Sequence, residues 1–384
     1  MNQAEKQALE KRLIQCRRTL HEHPELSHRE YETTERIRRW LVEMGAELAE
    51  FGLETGVVAR IRGKHPGKTV VLRADIDALP ITEQTGEPFA SKTVGVMHAC
   101  GHDVHTSILL GAVELLLARQ EELCGTVLAV FQPAEESATG ARVLLDKGVF
   151  DGVDAVFGGH TKPDLPVGTL GVRAGALMSA VDQFRIVLKG RGGHAGMPHR
   201  CIDPLVAGSQ LVCALQTIVS RNVSPLEQAV VSVTHFSSGS TWNVLPEQAE
   251  LEGTVRTFSP AVRTLVEQRI RCVSAQIAQA FGTALELEWI PKLPAVTNAA
   301  QWEPLVVRTA ERLGLRVVEA EQSLGGEDFA LYQERVPGFF VWIGTEGAEE
   351  WHHPAYHVDE RAILPAAEYF AELAVSALAE GAVR

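Results

Sequence analysis

The chain has 384 residues, too many for one ordinary core at roughly 100–200 residues per domain, so two or three units are expected. Hydrophobic residues make up 45% and charged residues 22%, a balance that excludes disordered and fibrous classes. Lysine and arginine number 36 against 49 aspartates and glutamates, a net charge of −13 with no field to gather phosphates, so neither nucleic acid nor an anionic membrane is an expected partner. The start, MNQAEKQALEKR, has no apolar signal core. Residues 3–20, rich in Ala, Glu, Lys and Leu, read as a helix that His23-Pro24 interrupts. Ile37, Trp40, Leu41 and Met44 form a second helical stripe, ended by Gly45.

Strand-like and helix-like runs then alternate. Residues 57–62 and 69–74 read as strands, 107–118 as a helix, 126–131 as a buried strand, 140–147 as a helix and 155–157 as a strand. That alternation indicates an α/β sheet covered on both faces. After residue 180 the rhythm changes. Phe184, Ile186 and Leu188 alternate with polar residues, a helix spans about 203–220, strands cover 229–234 and 249–257, a helix covers 260–281, and a last strand lies near 284–290. The order β-α-β-β-α-β describes a ferredoxin-like unit of about 110 residues. The segment IPKLPAV at 290–296 reads as a hinge back into α/β sequence, so the smaller domain is an insertion. The longest apolar runs, such as 108–118, which is cut by Gly111 and Glu114, fall short of the roughly 20 residues of a membrane span. Six irregularly spaced cysteines argue against a disulfide scaffold and for a reducing compartment, so a cytoplasmic protein is expected.

Four clusters carry candidate chemistry. Met97–His105 packs His98, Cys100, His102, Asp103 and His105 into nine residues ahead of a helix, a donor set suited to zinc or a similar transition ion. The strand VFQPAEE runs directly into Glu135 and Glu136, where one carboxylate could hold a metal and the other take a proton from activated water. Ligands of α/β sheets gather outside the carboxyl ends of strands, where this pair falls. His160 ends the strand-like AVFGGH, and His352, His353 and His357 follow in WHHPAYH. Each cluster alone has a plain alternative: Asp103 as a helix cap beside incidental histidines, or the glutamate pair as a solvated acidic turn. Together, Cys100, His102, Glu136, His160 and one late histidine exceed the three protein ligands of a single catalytic zinc. A two-metal site is the better count.

Other patterns carry less. GRGGHA at 190–195 matches a loose dinucleotide fingerprint, but Pro198 and His199 interrupt the helix that should receive the pyrophosphate. His21, His23 and His28 with Glu22 and Glu25 lie far from any strand end, where surface and capping roles are expected.

The motifs taken together resemble the aminoacylase/carboxypeptidase metallopeptidase family. They are nearest its amidohydrolase branch, which includes hippurate hydrolases, auxin-conjugate hydrolases and bacterial N-acyl-amino-acid deacylases. The resemblance runs through HEHPELS at 21–27, LRADIDALP at 72–80, MHACGHDVHT at 97–106 and FQPAEE at 131–136. It continues in GRGGHAGMPH at 190–199, TWNVLPEQAELEGTVRTF at 241–258, GGEDFA at 325–330 and WHHPAYH at 351–357. It implies an α/β, two-metal exopeptidase-like catalytic domain (1–181 and 295–384) with an inserted ferredoxin-like α+β lid that also dimerises (182–294). Its metal ligands fall on Cys100, His102, Glu136, His160 and His352, the last chosen over His353 because the family's histidine stands two residues before the proline. Glu135 matches the catalytic carboxylate, and His194 matches a lid residue that contacts substrate in a neighbouring subunit's site. Asn243 and Arg256 fall in lid motifs associated with substrate binding. Where dipeptidases and carboxypeptidases of the family carry a metal-binding histidine, this chain has Asp75, and Cys100 supplies the donor. Asp77 is expected to orient a ligand.

The resemblance therefore implies a homodimer that hydrolyses N-acyl L-amino acids with two divalent transition-metal ions, zinc, manganese, cobalt or nickel. The alternatives are a metallo-dipeptidase or aminopeptidase of the same family and a non-catalytic metal-binding relative. A dead descendant could lose Glu135 without consequence, and this chain keeps it with every ligand.

Overall fold

A computed structural model of the protein describes residues 2–380. The chain divides into two compact units. One takes the residues up to Leu177, Val296–Glu321 and the chain from Glu327; the other takes Met178–Ala295 with Gln322–Gly326.

The first unit is built on an eight-stranded sheet in the order Glu47–Leu48, Val57–Arg62, Cys124–Gln132, His65–Asp75, Ala155–Lys162, Gly338–Gly344, Thr169–Val172, Arg316–Glu319. The four strands from Cys124–Gln132 to Gly338–Gly344 run parallel to one another, and the strands that flank them, Val57–Arg62 and Thr169–Val172, are antiparallel to this block. Val70–Asp75, Val127–Gln132 and the whole of Gly338–Gly344 are buried residue after residue, the pattern of strands covered on both faces. Helices His102–Leu117 and Ile363–Ala379 bring Val104, Ile108, Ala366 and Tyr369 into one core with Leu72, Ala129 and Phe157. With its flanking residues, the second of these helices is long and apolar enough to cross a membrane by composition, but 61% of that stretch is buried inside the unit. The helix Gln3–Glu22 opens on a reciprocal cap, in which Glu5 N–H donates to Asn2 Oδ1 at 3.0 Å and Asn2 N–H to Glu5 Oε2 at 2.8 Å.

The second unit is an antiparallel four-stranded sheet in the order Ala229–Ser238, Gln248–Thr257, Ala180–Lys189, Ala284–Leu293. Helices Pro204–Asn222 and Pro260–Phe281 cross between the strands, completing β-α-β-β-α-β. Both start at a side-chain cap, Asp203 and Ser259, followed by proline at the first helical position. Leu211, Leu215, Val266 and Ile270 pack on Phe184, Ile186, Leu251 and Val255, so alternate residues such as Glu250, Glu252 and Arg256 take the sheet's other face.

Two expectations change. The segment 290–296 is not a hinge from its start: the last strand runs through Pro291 to Leu293, with a bulge between them. It is an edge strand, where a residue without an N–H removes no ladder hydrogen bond. The strand expected at 155–157 extends to Lys162, which puts His160 inside its last three residues.

Candidate metal centre and active site

The carboxyl ends of the parallel strands converge on one crevice. Asp75 is the last residue of its strand, Gln132 ends the next before Pro133-Ala134-Glu135-Glu136, and His160 stands near the end of the third. Ala134 holds a left-handed φ of 56° and His352 one of 67°, backbone strain of the kind found at functional sites. Gly101, at φ 87°, starts the helix that carries His102. A Cβ there would lie 2.6 Å from Thr161 Oγ1 and 2.9 Å from Tyr356 Oη, so only glycine allows this approach.

Cys100 Sγ lies 3.3 Å from His160 Nε2, His352 Nε2 lies 3.5 Å from Glu136 Oε1, and His102 Nε2 lies 3.9 Å from the same oxygen. Donors sharing one ion at zinc-like distances sit about 3.3–3.8 Å apart on a tetrahedron's edges. His160 Nδ1 meets the Thr161 carbonyl at 2.9 Å, and His102 Nδ1 meets the Asp77 carbonyl at 3.0 Å and its carboxylate at 3.1 Å. Those bonds place the protons on Nδ1 and turn each Nε2 lone pair inward. His102 Nε2 and Glu136 Oε1 are buried with no hydrogen-bond partner among the described residues, an arrangement that costs free energy unless a cation supplies the missing interaction. Cys100, His102 and His160 form one set of donors within 4.8 Å of one another, and Cys100, Glu136 and His352 form a second. The two sets share Cys100 and fit two ions. His353 instead accepts the Ala355 N–H on its own loop.

The surroundings are strongly negative. Asp75, Asp77, Glu135, Glu327 and Asp328 are all buried here, with Glu136 beside them and Arg73 as the buried guanidinium. Arg73 donates to Gln132, Asp75 and Asp328 at 2.8 Å each and pairs with Glu327 at 2.9 Å. Burial, and then the charges of Glu327, Glu136 and Asp328, raise the Glu135 carboxyl well above the usual carboxylate range. Burial, Glu136 and Glu135 do the same to the Cys100 thiol, so only a cation would hold it as thiolate. The sequence gives no role to Arg73, Glu327 or Asp328, and it offers His105 only as one of the donors clustered at 97–105.

His21 corrects a further expectation. It is not a surface residue: its ring is buried, with Nδ1 2.8 Å from Asp103 and Nε2 3.2 Å from Glu83, and Arg17 Nε also donates to Asp103 at 2.8 Å. Glu25 does cap, accepting the Thr33 N–H at 2.7 Å.

Glu30, fully buried, accepts the Ala134 N–H at 2.8 Å and holds the turn ahead of Glu135. Burial, with the Asp77 charge behind it, pushes its carboxyl from 4.5 up to about 7. The folded chain therefore binds this proton more tightly than the unfolded chain. Its stabilising contribution is complete below about pH 4.5 and fades as pH rises through about 7. Glu30→Gln is expected to flatten that decline in thermal unfolding between about pH 5 and pH 8; an unchanged slope would assign it to other groups.

In the second unit, His194 and Asn243 come together: His194 pairs with Val244 across a short ribbon, and Ala195 N–H donates to the Asn243 carbonyl at 3.1 Å. His194 Nδ1 accepts the Gly196 N–H at 3.0 Å, which leaves its exposed Nε2 as a donor. Arg256 is not part of that pair. It stands eight residues along the strand from Gln248, roughly 25 Å away, with Nε on the Leu324 carbonyl at 3.2 Å. The 190–195 glycines lead into this ribbon and not directly into a helix.

The model of Peptidase family M20/M25/M40 matches residues 71–376. The chain is 56% identical over 372 residues to an N-acetylcysteine deacetylase of Bacillus subtilis (strain 168), covering 97% of this chain and 98% of that protein. An N-acetyl-L-cysteine deacetylase of the same strain is 49% identical over 366 residues, covering 95% and 88%. The crystal structure of the Bacillus subtilis YXEP protein, a dinuclear metal-binding peptidase from the M20 family, superposes with a TM-score of 0.90 at 52% identity, over 97% of this chain and 99% of that one. With the fold, the crevice and these matches in agreement over nearly its whole length, the chain belongs to peptidase family M20/M25/M40.

Proposed function

We propose that this chain is a metal-dependent amidohydrolase that cleaves N-acyl L-amino acids to a carboxylate and a free amino acid. The observation that carries the reading is the pair of buried, unpartnered donor atoms, His102 Nε2 and Glu136 Oε1, beside a second carboxylate, Glu135, with raised proton affinity. Cys100, His102, Glu136, His160 and His352 would hold two divalent ions. When bound, such ions supply Lewis acidity toward the acyl carbonyl and lower the pKa of water. Glu135 takes the proton of the attacking water and returns it to the leaving amino nitrogen. His194, a donor through Nε2, stabilises the oxyanion. Asn243 beside it contacts the substrate. Arg256 binds the amino acid's carboxylate; its Nε is already engaged, which favours a single hydrogen bond over a fork.

The deacetylase names of the two relatives support an acetyl group and a small sulfur-containing side chain. Mixed thiolate, imidazole and carboxylate ligation suits zinc, manganese, cobalt or nickel. Six free cysteines support a reducing, cytoplasmic setting. A homodimer through the second unit completes the reading, supported by Leu205, Val206 and Phe236, which are exposed there.

The test is acetate release from N-acetylcysteine and N-acetylmethionine by chelator-stripped protein with each metal restored, beside unblocked dipeptides. Metal-dependent release with slow dipeptide cleavage is expected. Faster cleavage of dipeptides would favour the dipeptidase, and release without any metal would remove the centre from the mechanism.

A further inference from the structure

His105 lies one turn beyond His102 and points toward the same crevice, yet it is not available as a ligand. Its Nδ1 donates to Asp75 Oδ1 at 2.6 Å, and its Nε2 accepts the Thr161 N–H at 2.9 Å. Both ring nitrogens are used. Asp75 is equally committed, with its other oxygen on Arg73 at 2.8 Å.

The bridge stands where the sheet comes apart. The ladder between His65–Asp75 and Ala155–Lys162 ends at the Arg73–Gly158 pair, while His160 and Thr161 remain paired on their other edge with Trp342 and Ile343. Beyond Gly158 that first edge has no strand to bond among the described residues, and the His105 ring takes up the Thr161 N–H in its place. The same residue's carbonyl receives His160 Nδ1 at 2.9 Å, and its hydroxyl lies 3.2 Å from the Cys100 carbonyl. Thr161 therefore touches two of the candidate ligands through separate atoms, and His105 is what ties Thr161 to Asp75. His105 also packs edge-on against the His160 ring, with centroids 4.7 Å apart.

We propose that His105 is a positioning residue which, through the main chain of Thr161, fixes the His160 ring so that its Nε2 faces Cys100, with Asp75 setting the tautomer that makes His105 Nε2 the acceptor. The assignment rests on the metal-centre reading above. Loss of the bridge lets the end of the strand drift where the crevice opens, so His160 meets the Cys100–His102–His160 set in many orientations. The Cys100–Glu136–His352 set takes nothing from His160 and meets the bridge only through the Thr161 hydroxyl on the Cys100 carbonyl. The bridge therefore acts chiefly on one ion, whereas a general loss of fold would weaken both.

The test is titration of chelator-stripped protein with cobalt(II), followed by the thiolate-to-cobalt and ligand-field absorption bands. Two substitutions divide the bridge. His105→Asn can keep the bond to Asp75 but leaves the Thr161 N–H unpaired, whereas His105→Gln can reach that N–H. His105→Asn is expected to weaken one cobalt event by about 10–100-fold, the usual effect of removing such a support, and to alter its bands, with the other event changed far less. His105→Gln is expected to recover most of the loss. Equal weakening of both events, wild-type titration by His105→Asn, or equal loss in the two variants would overturn the proposal. Should the asparagine variant fail to fold, the glutamine variant decides alone: near-wild-type affinity and bands support it, and a tenfold loss opposes it. Failure of the wild-type protein to bind cobalt would be a separate result, against the metal centre itself.

Discussion

Replacing Glu135 by glutamine lowers kcat by about a hundredfold to ten-thousandfold, the usual contribution of a positioned base, and leaves the bound metal unchanged. The substitution keeps the shape of the side chain and removes only its capacity to take a proton. Glu135 also lies within reach of His102 and Glu136, and of Glu327 and Asp328; the division of roles assigns the two ions to Cys100–His102–His160 and Cys100–Glu136–His352 and leaves Glu135 to carry the proton. Its surroundings suit a proton carrier: the side chain is buried, and the carboxylates of Glu327, Glu136 and Asp328 make a further negative charge there costly. Steady-state kinetics on an N-acyl amino acid, with metal analysis of the same sample, checks both halves. A variant that loses metal as well as turnover would show that the division of roles between the adjacent glutamates is wrong.

His194→Ala is expected to cost about a hundredfold to a thousandfold in kcat, as removal of an oxyanion donor does, with metal content untouched. His194 belongs to a different compact unit from every candidate ligand. In the dimeric reading it serves the active site of the partner subunit. Mixing His194→Ala with Glu135→Gln then builds, in each mixed dimer, one site with both residues intact. Random pairing makes half the dimers mixed, so about a quarter of wild-type activity returns. Co-purification of differently tagged chains verifies exchange. A mixture that exchanges and stays inactive would remove His194 from the partner's site.

The candidate ligands were legible because each stands in a local pattern: Glu135 and Glu136 follow a continuous apolar strand, and Cys100 and His102 flank a glycine ahead of a helix. The second unit was legible for the same reason, since period-two strands such as Gln248–Thr257 and capped helices such as Pro260–Phe281 announce themselves within about ten to twenty residues. What escaped was set by distance along the chain. Arg73 meets Asp328 across 255 positions, and His21 meets Asp103 across 82. A charged residue inside the buried run VVLRAD signals that a partner must exist, since buried charges are paired, but not which one. Pro291 misled because a proline is excluded only from strands bonded on both sides, and edge position is a property of the finished sheet. Gln322–Gly326, distant in sequence, joins the second unit through contacts such as Ser179 N–H to the Ser323 carbonyl at 3.0 Å, which no local pattern announces.

The most direct measurement is the metal stoichiometry of the chain, by elemental analysis after stripping, refilling with zinc or manganese, and dialysis. The account expects two ions per chain in the wild-type protein and in Glu135→Gln, and a loss in Glu136→Gln, whose carboxylate lies against both His102 and His352. One ion in the wild-type chain, or two retained at wild-type affinity without the Glu136 carboxylate, would contradict it.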